Sequence, residues 1–251
     1  MHTLDQITRP VIFAHRGSSA YAPENTIAAF DLAFKQKSHA IELDTMLSAD
    51  RIPVVIHDRA VDRTTNGEGL IDQLSVEQLK NLDAGSWYSD DFTGERIPLL
   101  KDVLKRYGKK HLINIELKNL HAMNDNLPSI VTELIEGFEI EDNVLISSFI
   151  PRNLKTIRKK NPEIRLALLC SGGLIGKFCQ SKIMFPISPQ NIHPNFRTIS
   201  KKVLKMNHNQ NRRVHAWTVD DVELALNLTR IGIDGIITNN PGKMFELLHS
   251  S

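Results

Sequence analysis

Cysteine is scarce in this chain of 251 residues, in which only Cys170 and Cys179 occur. This argues against a structural disulfide, and we expect both to serve as small apolar side chains. The chain also lacks any uninterrupted apolar run near the roughly 20 residues that a membrane-spanning helix needs. Its first residues have neither the basic start nor the apolar core of a signal peptide. We therefore expect a cytoplasmic protein without a membrane span.

The net charge of the chain at pH 7 is small, at +2. A nucleic-acid-binding domain would need a strongly basic face, so we expect no nucleic-acid partner. Hydrophobic residues make up 41% of the sequence and charged residues 24%, which is ordinary for a globular protein. The length suits one large domain, 1–251, because an α/β barrel typically has about 250 residues. The sequence does not indicate an oligomeric state.

Two apolar runs in the N-terminal part of the chain end in ionisable side chains. The first run, residues 11–14, is followed by His15 and Arg16, and the second, residues 53–56, is followed by His57. Two histidines with ordinary pKa values near ~6.5 can supply a general base and a general acid at neutral pH. The planar guanidinium of Arg16 matches two oxygens of a phosphate group. Each residue alone is more often structural, so the catalytic hypothesis depends on their combination.

Three acidic residues lie on predicted strands. Glu42 and Asp44 are two positions apart, so they share one face of their strand, and Glu116 shares a face with Lys118 in a later strand. Paired carboxylates repel each other unless a cation lies between them, and oxygen ligands select a hard ion such as Mg²⁺ or Ca²⁺. We therefore predict a divalent metal at Glu42, Asp44 and Glu116. Lys118 either binds phosphate oxygens or pairs with Glu116.

Strands and helices alternate along most of the chain. The predicted barrel strands begin at Val11, Ile41, Leu112, Val144, Leu166, Ile183, Val214 and Gly235. Eight such strands predict an α/β fold, a (β/α)8 TIM-type barrel, in which sites form at the C-terminal strand ends. At two of those ends, Phe149 and Trp217 are either core residues or an apolar wall for the substrate.

The alternation pauses in residues 59–96, after the second barrel strand. This segment is too long for an ordinary loop and contains Ser75 and Gln78 in a capping-box pattern, which predicts one short helix. We expect a small insertion subdomain that covers the substrate. Before the first predicted helix, Asn25 is the expected N-cap, and Glu24 is expected to bind nearby amides.

The order and spacing of these residues resemble the glycerophosphodiester phosphodiesterase family over nearly the whole chain. The motifs that carry the resemblance are His15-Arg16-Gly17, Ala22-Pro23-Glu24-Asn25-Thr26, Glu42-Leu43-Asp44, His57-Asp58, Asp62-Arg63-Thr64-Thr65-Asn66-Gly67, Glu116-Leu117-Lys118 and Ala216-Trp217-Thr218-Val219. The resemblance implies metal-dependent hydrolysis of a glycerophosphodiester to sn-glycerol 3-phosphate and an alcohol. It also implies attack on phosphorus by the substrate's own 2-hydroxyl, followed by hydrolysis of a cyclic phosphate.

The same resemblance assigns roles to the candidate residues. The implied metal ligands are Glu42, Asp44 and Glu116, the substrate-binding residues Arg16, Lys118, Phe149 and Trp217, and the acid and base His15 and His57. Neither histidine is assigned to the first step, and neither Mg²⁺ nor Ca²⁺ is preferred.

Two alternatives stay open. A phospholipase D-like enzyme that acts on lysophospholipids or sphingolipids would share the barrel and much of the site. Such relatives tend to lack the long insertion, carry disulfides and have aspartate at the position of Glu116, so this chain differs on each count. A barrel that binds a phosphorylated ligand without catalysis would be favoured by loss of a histidine or carboxylate, and none is missing.

Overall fold

A computed structural model describes residues 4–173, 176 and 189–249. In this part of the chain, eight parallel strands close into a barrel, and one short strand pairs with the second in antiparallel orientation. The strands are β1 (Val11–His15), β2 (Ala40–Leu47), β3 (Pro53–Val55), β4 (Leu112–Leu117), β5 (Val144–Ser148), β6 (Arg165–Cys170), β7 (Asn191–Pro194), β8 (Arg213–Ala216) and β9 (Gly235–Thr238). Because β1 pairs with both β2 and β9, the barrel is closed, and the predicted fold class is confirmed.

Helices follow the strands around the outside of the barrel. Those in the described residues are α1 (Ile27–Lys35), α2 (Val76–Lys80), α3 (Leu100–Tyr107), α4 (Leu127–Phe138), α5 (Pro151–Lys160), α6 (Lys201–His208), α7 (Val222–Arg230) and α8 (Pro241–His249). Among them, none combines the length and apolar character that crossing a membrane requires. Cys170 is buried in β6, as expected of a small apolar side chain, and Cys179 lies outside the described residues.

Alternation within β2 and β4 decides which side chains reach the barrel interior. Ile41 and Leu43 of β2 pack in one apolar cluster with residues of α3 and α4, so they face outward. The intervening acidic residues of β2 must therefore point inward. In the parallel register, Asp44 is the Cα partner of Glu116 on β4. Two of the predicted metal ligands are thus neighbours across the sheet.

The strand predicted at Ile183 lies outside the described residues. Its place in the barrel, between β6 and β8, is taken by β7, which pairs with both. The sequence of β7, Asn-Ile-His-Pro, has no apolar run because polar side chains of this strand are buried in the barrel. Asn191 and His193 are both buried, and Nε2 of His193 lies 3.0 Å from Nδ1 of the buried His215.

The N-cap of α1 is Thr26, not Asn25 as predicted. The Thr26 hydroxyl accepts a hydrogen bond from the backbone N–H of Ala29 at 3.2 Å. Asn25 instead has a left-handed backbone, with φ of 60°, and its side chain amide donates to Asp44 at 3.0 Å. The residue that was expected to begin the helix therefore holds a carboxylate of the predicted metal site.

Residues 59–96 form a compact segment beside the barrel. The capping box at Ser75 and Gln78 is confirmed, and it begins the short helix α2. Val61 and Leu79 of this segment pack with Met46 of β2 in a separate apolar cluster. The segment therefore covers an apolar side of β2 and β3, and it is anchored by a small core that it shares with these strands.

Gly17, directly after His15 and Arg16, turns the chain with a φ of 83°. A Cβ at this position would lie 2.6 Å from the backbone carbonyl carbon of Ala29. Gly17→Ala is therefore expected to lower the free energy of unfolding by about 1–3 kcal/mol, measured by urea denaturation. Gly137→Ala in α4 is the control: nothing lies within 4 Å of its Cβ position, so a gain of about 0.5–1 kcal/mol is expected. Equal effects of the two substitutions would contradict the steric argument.

Candidate functional site

One pocket at the C-terminal ends of the barrel strands brings together nearly all of the predicted site residues. Its lining includes His15, Arg16, Glu42, His57, Glu116, Lys118, Phe149 and Trp217. Asp44 does not line the pocket directly, and it is buried beside it. No residue of the insertion 59–96 belongs to the described lining. The position agrees with the usual place of active sites in this type of barrel.

The acidic residues Glu42, Asp44 and Glu116 form a buried cluster at one side of the pocket. One carboxylate oxygen from each lies within 4.8 Å of the others. Oxygen ligands at 2.3–2.6 Å from one Ca²⁺ can be at most about 5 Å apart, so this spacing allows all three to bind one ion. The donor set consists of oxygens, which suits a hard divalent cation.

The positive charges near the three carboxylates are too few to keep all three ionised in the usual pH range. Burial, together with the neighbouring Asp44, raises the pKa of Glu42 well above its usual range. The same two causes raise the pKa of Glu116 to about 7. Burial also opposes ionisation of Asp44, but nearby cations, Arg16 first, hold its pKa below the usual value. A cation between these carboxylates would restore ordinary ionisation, so the residues present fit a divalent metal.

Arg16 lies at the pocket with its left-handed backbone at φ of 56°. Its backbone N–H donates to Glu42 at 3.0 Å, and its guanidinium pairs with Asp44 at 3.1 Å and with Glu24 at 2.9 Å. The expectation that Glu24 binds backbone amides was wrong, because its carboxylate accepts from the guanidinium groups of Arg16 and Arg63 instead. Two carboxylates, Asp44 and Glu24, therefore fix the direction of the guanidinium, and Glu42 holds the backbone of the same residue.

The tautomer of His15 is set by residues that follow the last two barrel strands. The carboxylate of Asp220 can only accept, and the side-chain amide of Asn239 donates to it at 2.6 Å. The carbonyl oxygen of Asn239 therefore faces Nδ1 of His15, at 2.7 Å, and accepts its proton. This leaves Nε2 of His15 with a free lone pair. Burial, and then the charge of Arg16, lower the pKa of His15 to about 4, so the ring is neutral at pH 7.

His57 is held in the same tautomer by a carboxylate. Nδ1 of His57 lies 2.6 Å from Asp58, so it carries the proton, and Nε2 accepts from the ammonium of Lys118 at 3.1 Å. Burial lowers the pKa of this ring as well, which Asp44 partly opposes. Lys118 also lies 3.2 Å from Glu116. The ion pair between Lys118 and Glu116, which was one of the two alternatives from the sequence, therefore exists. Lys118 also lines the pocket.

Several polar residues of the site were missed by sequence reasoning. Asn239 and Asp220 follow β9 and β8, and this position at a strand end was the available signal. Asn114, two residues before Glu116, is buried in the pocket lining, and no hydrogen-bond partner is described for its Oδ1 atom. The aromatic rings of Phe149 and Trp217 lie 5.7 Å apart in an edge-to-face arrangement on the pocket wall.

The fold and the site together define a (β/α)8-barrel enzyme whose pocket contains two histidines and two cationic side chains beside a buried carboxylate cluster. The sequence model of the "Glycerophosphoryl diester phosphodiesterase family" matches residues 15–243. The chain belongs to this family.

Individual relatives agree with this assignment. The protein YhdW of Bacillus subtilis (strain 168) is 40% identical over 231 residues, which cover 92% of this chain and 94% of the relative. A glycerophosphodiester phosphodiesterase of Caldanaerobacter subterraneus subsp. tengcongensis is 36% identical, over 96% of this chain and 98% of that protein. A solved phosphodiesterase of Oleispira antarctica, in complex with the product sn-glycerol-3-phosphate, has a TM-score of 0.87 and 32% identity, over 95% and 96% of the two chains.

Proposed function

We propose that this protein hydrolyses glycerophosphodiesters to sn-glycerol 3-phosphate and an alcohol, with a divalent cation and with acid–base catalysis by His15 and His57. The observation that carries the proposal is the pocket itself, which combines two histidines of fixed tautomer with Arg16, Lys118 and the carboxylate cluster. The product bound to the Oleispira antarctica enzyme supports the same substrate class.

In this proposal Glu42, Asp44 and Glu116 hold the cation, which would supply positive charge to a phosphate at the pocket. Either Mg²⁺ or Ca²⁺ suits the oxygen donors. Arg16 binds phosphate oxygens through its planar guanidinium, and Lys118 binds them as a point charge. Both side chains are already directed by carboxylates, so little conformational entropy is lost when substrate binds.

The two histidines divide the proton transfers. In the first step the substrate's 2-hydroxyl attacks phosphorus and loses its proton, and the leaving alcohol gains one. His15 faces a neutral amide and has a free lone pair at Nε2, so we assign it as the base. His57 faces the carboxylate of Asp58, which stabilises an imidazolium, so we assign His57, in the form that carries a proton on both ring nitrogens, as the acid that gives its Nε2 proton to the leaving alcohol. Water then opens the cyclic phosphate with the roles reversed.

Phe149 and Trp217 are proposed to form the apolar wall against which the glycerol or alcohol group packs. The insertion 59–96 is proposed to be a subdomain that restricts the alcohol group. It follows directly after His57 and Asp58, on the face of the barrel that carries the site. The hydroxyl of Tyr88 donates to the carbonyl of Ala20 at 2.7 Å. This contact ties the insertion to the loop after β1, and the insertion is proposed to narrow the approach to the pocket from that side.

The proposed function is tested by a coupled assay for released glycerol 3-phosphate. Glycerophosphocholine, glycerophosphoethanolamine and glycerophosphoglycerol should be hydrolysed. Lysophosphatidylcholine, whose reaction is followed by released choline because its product keeps the acyl chain, should react at least tenfold more slowly, since that chain must pass the insertion. A preference for lysophosphatidylcholine, with choline as the released product, would favour the phospholipase D-like alternative. Binding of the diesters without turnover would favour the other alternative, a barrel that binds a phosphorylated ligand without catalysis.

A further inference from the structure

Arg63, in the insertion 59–96, joins two loops of the site. Its Nε donates to Oδ2 of Asp58 at 2.5 Å. Its two terminal nitrogens donate to the two oxygens of Glu24, at 2.9 Å and 2.8 Å. All three nitrogens of one planar guanidinium therefore bind carboxylates. The carboxylate of Asp58 lies just after β3, and that of Glu24 lies just before α1.

Each of these carboxylates also holds a side chain of the proposed active site. Asp58 binds Nδ1 of His57 through its other oxygen, at 2.6 Å. Glu24 binds the guanidinium of Arg16 at 2.9 Å. The contacts form a continuous network, His57–Asp58–Arg63–Glu24–Arg16, in which Arg63 occupies the centre.

The charges of the network depend on Arg63. Burial opposes ionisation of Asp58, but the hydrogen bonds from Arg63 and His57 lower its pKa to about 2. Glu24 has a lowered pKa for related reasons: burial raises it, and the bonds from Arg63 and Arg16 more than offset that effect. Without Arg63, each carboxylate would lose its partner on the side away from the pocket and could turn from His57 or Arg16.

We propose that Arg63 is a positioning residue, which holds the acid His57 and the phosphate-binding Arg16 in their working orientations without touching the substrate. This inference rests on the proposed function. It also gives the insertion a role that does not require it to line the pocket. A fork of three donors is needed to bind both carboxylates, so lysine can replace Arg63 only in part.

The test compares Arg63→Gln and Arg63→Lys with a matched control, Arg59→Gln. Arg59 lies in the same segment and also forms a two-point contact with a carboxylate, to Asp72 at 3.3 Å and 2.7 Å. Arg63→Gln is expected to lower kcat/KM about 10–100-fold, as removal of outer-shell partners typically does. The loss should be split between a lower kcat, through His57, and a higher KM, through Arg16. Arg63→Lys should recover part of it, and Arg59→Gln should stay within about twofold of wild type.

Thermal unfolding and a double-mutant cycle separate positioning from stability. In an Asp58→Asn background, the effect of Arg63→Gln on kcat should shrink, because both substitutions break the same path to His57. Wild-type kinetics for Arg63→Gln would overturn the inference. Equal losses for Arg63→Gln and Arg59→Gln, with parallel falls in Tm, would also overturn it, since the role would then be structural.

A crystal structure of Arg63→Gln tests the geometry independently of activity. The His57 ring or the Arg16 guanidinium should be displaced relative to wild type. If both stay in place, the inference is wrong whatever the kinetics show. If wild-type protein hydrolyses no glycerophosphodiester, the proposed function fails, and the displacement alone then decides whether Arg63 positions these two side chains.

Discussion

Removal of divalent cations is expected to abolish hydrolysis of glycerophosphodiesters by this protein. Glu42, Asp44 and Glu116 are buried within 4.8 Å of one another, and Arg16 and Lys118 together do not neutralise them, since the pKa values of both glutamates are raised. A phosphate monoanion adds further negative charge at this place. Without a cation, the pocket therefore repels the transition state that it has to stabilise.

The measurement uses protein stripped of metal with excess chelator, followed by addition of Mg²⁺ or Ca²⁺. Activity should be lost and then restored. Thermal unfolding supplies a second readout: a saturating cation, at about 100 times Kd, should stabilise the protein by about 2.7 kcal/mol. Glu116→Gln should lose both effects, whereas Glu95→Gln, in the insertion, should keep them. Full activity in the stripped protein would show that the metal assignment is wrong.

The pH dependence of cation binding has a definite sign. The pKa of Glu116 in the folded protein is about 7, above the ordinary value, so this carboxyl is protonated in acid and must release a proton to bind metal. The apparent affinity should therefore fall as pH is lowered below 7, by up to about tenfold per pH unit for one released proton. Calorimetric titration at pH 8 and pH 6 measures this difference. Equal affinities would show that neither Glu116 nor Glu42, whose pKa is also raised, releases a proton when the cation binds.

His15→Ala and His57→Ala are each expected to lower kcat by about 10²–10⁴-fold while KM changes little. Both rings lie at the pocket, and both are held with Nδ1 protonated by an acceptor behind the ring. They therefore present Nε2 for proton transfer, and this contributes mainly to the transition state.

The control for these variants is His111→Ala. His111 precedes β4, at the opposite end of that strand from Lys118, and its ring stacks on Phe34 with centroids 3.8 Å apart. Its removal should affect stability more than turnover. Circular dichroism should show that all three variants are folded. If either His15→Ala or His57→Ala keeps near wild-type kcat at saturating substrate, that histidine has a structural role.

The barrel and the main site residues could be predicted because their signals are local. Strict alternation in β2 places Glu42 and Asp44 on one face whatever the rest of the chain does. In this type of barrel, active sites form at the C-terminal ends of the strands, so residues that end different strands are predicted to lie together although they are far apart in sequence. The described pocket brings together His15, His57 and Glu116, as these patterns predicted.

The strand β7 could not be predicted in the same way. Its Asn191 and His193 are polar and buried in the barrel, so the strand has no continuous apolar run, and an alternation of only four residues that ends in proline does not predict a strand. The N-cap of α1 was assigned to Asn25 because asparagine is a common cap. The tertiary contact of Asn25 with Asp44 outweighed this local preference.

The sequence by itself determined the fold class, the pairing of Glu42 with Asp44 and the residues that end the strands, because these follow from the periodicity of strands and from the direction of the chain. Only the tertiary structure decided which nitrogen of each histidine is held by an acceptor and which one faces the pocket. That depends on Asn239 and Asp220 for His15 and on Asp58 for His57. The physical reason is that a hydrogen bond needs both distance and orientation, and for His15 the chain brings its partner from 224 positions away.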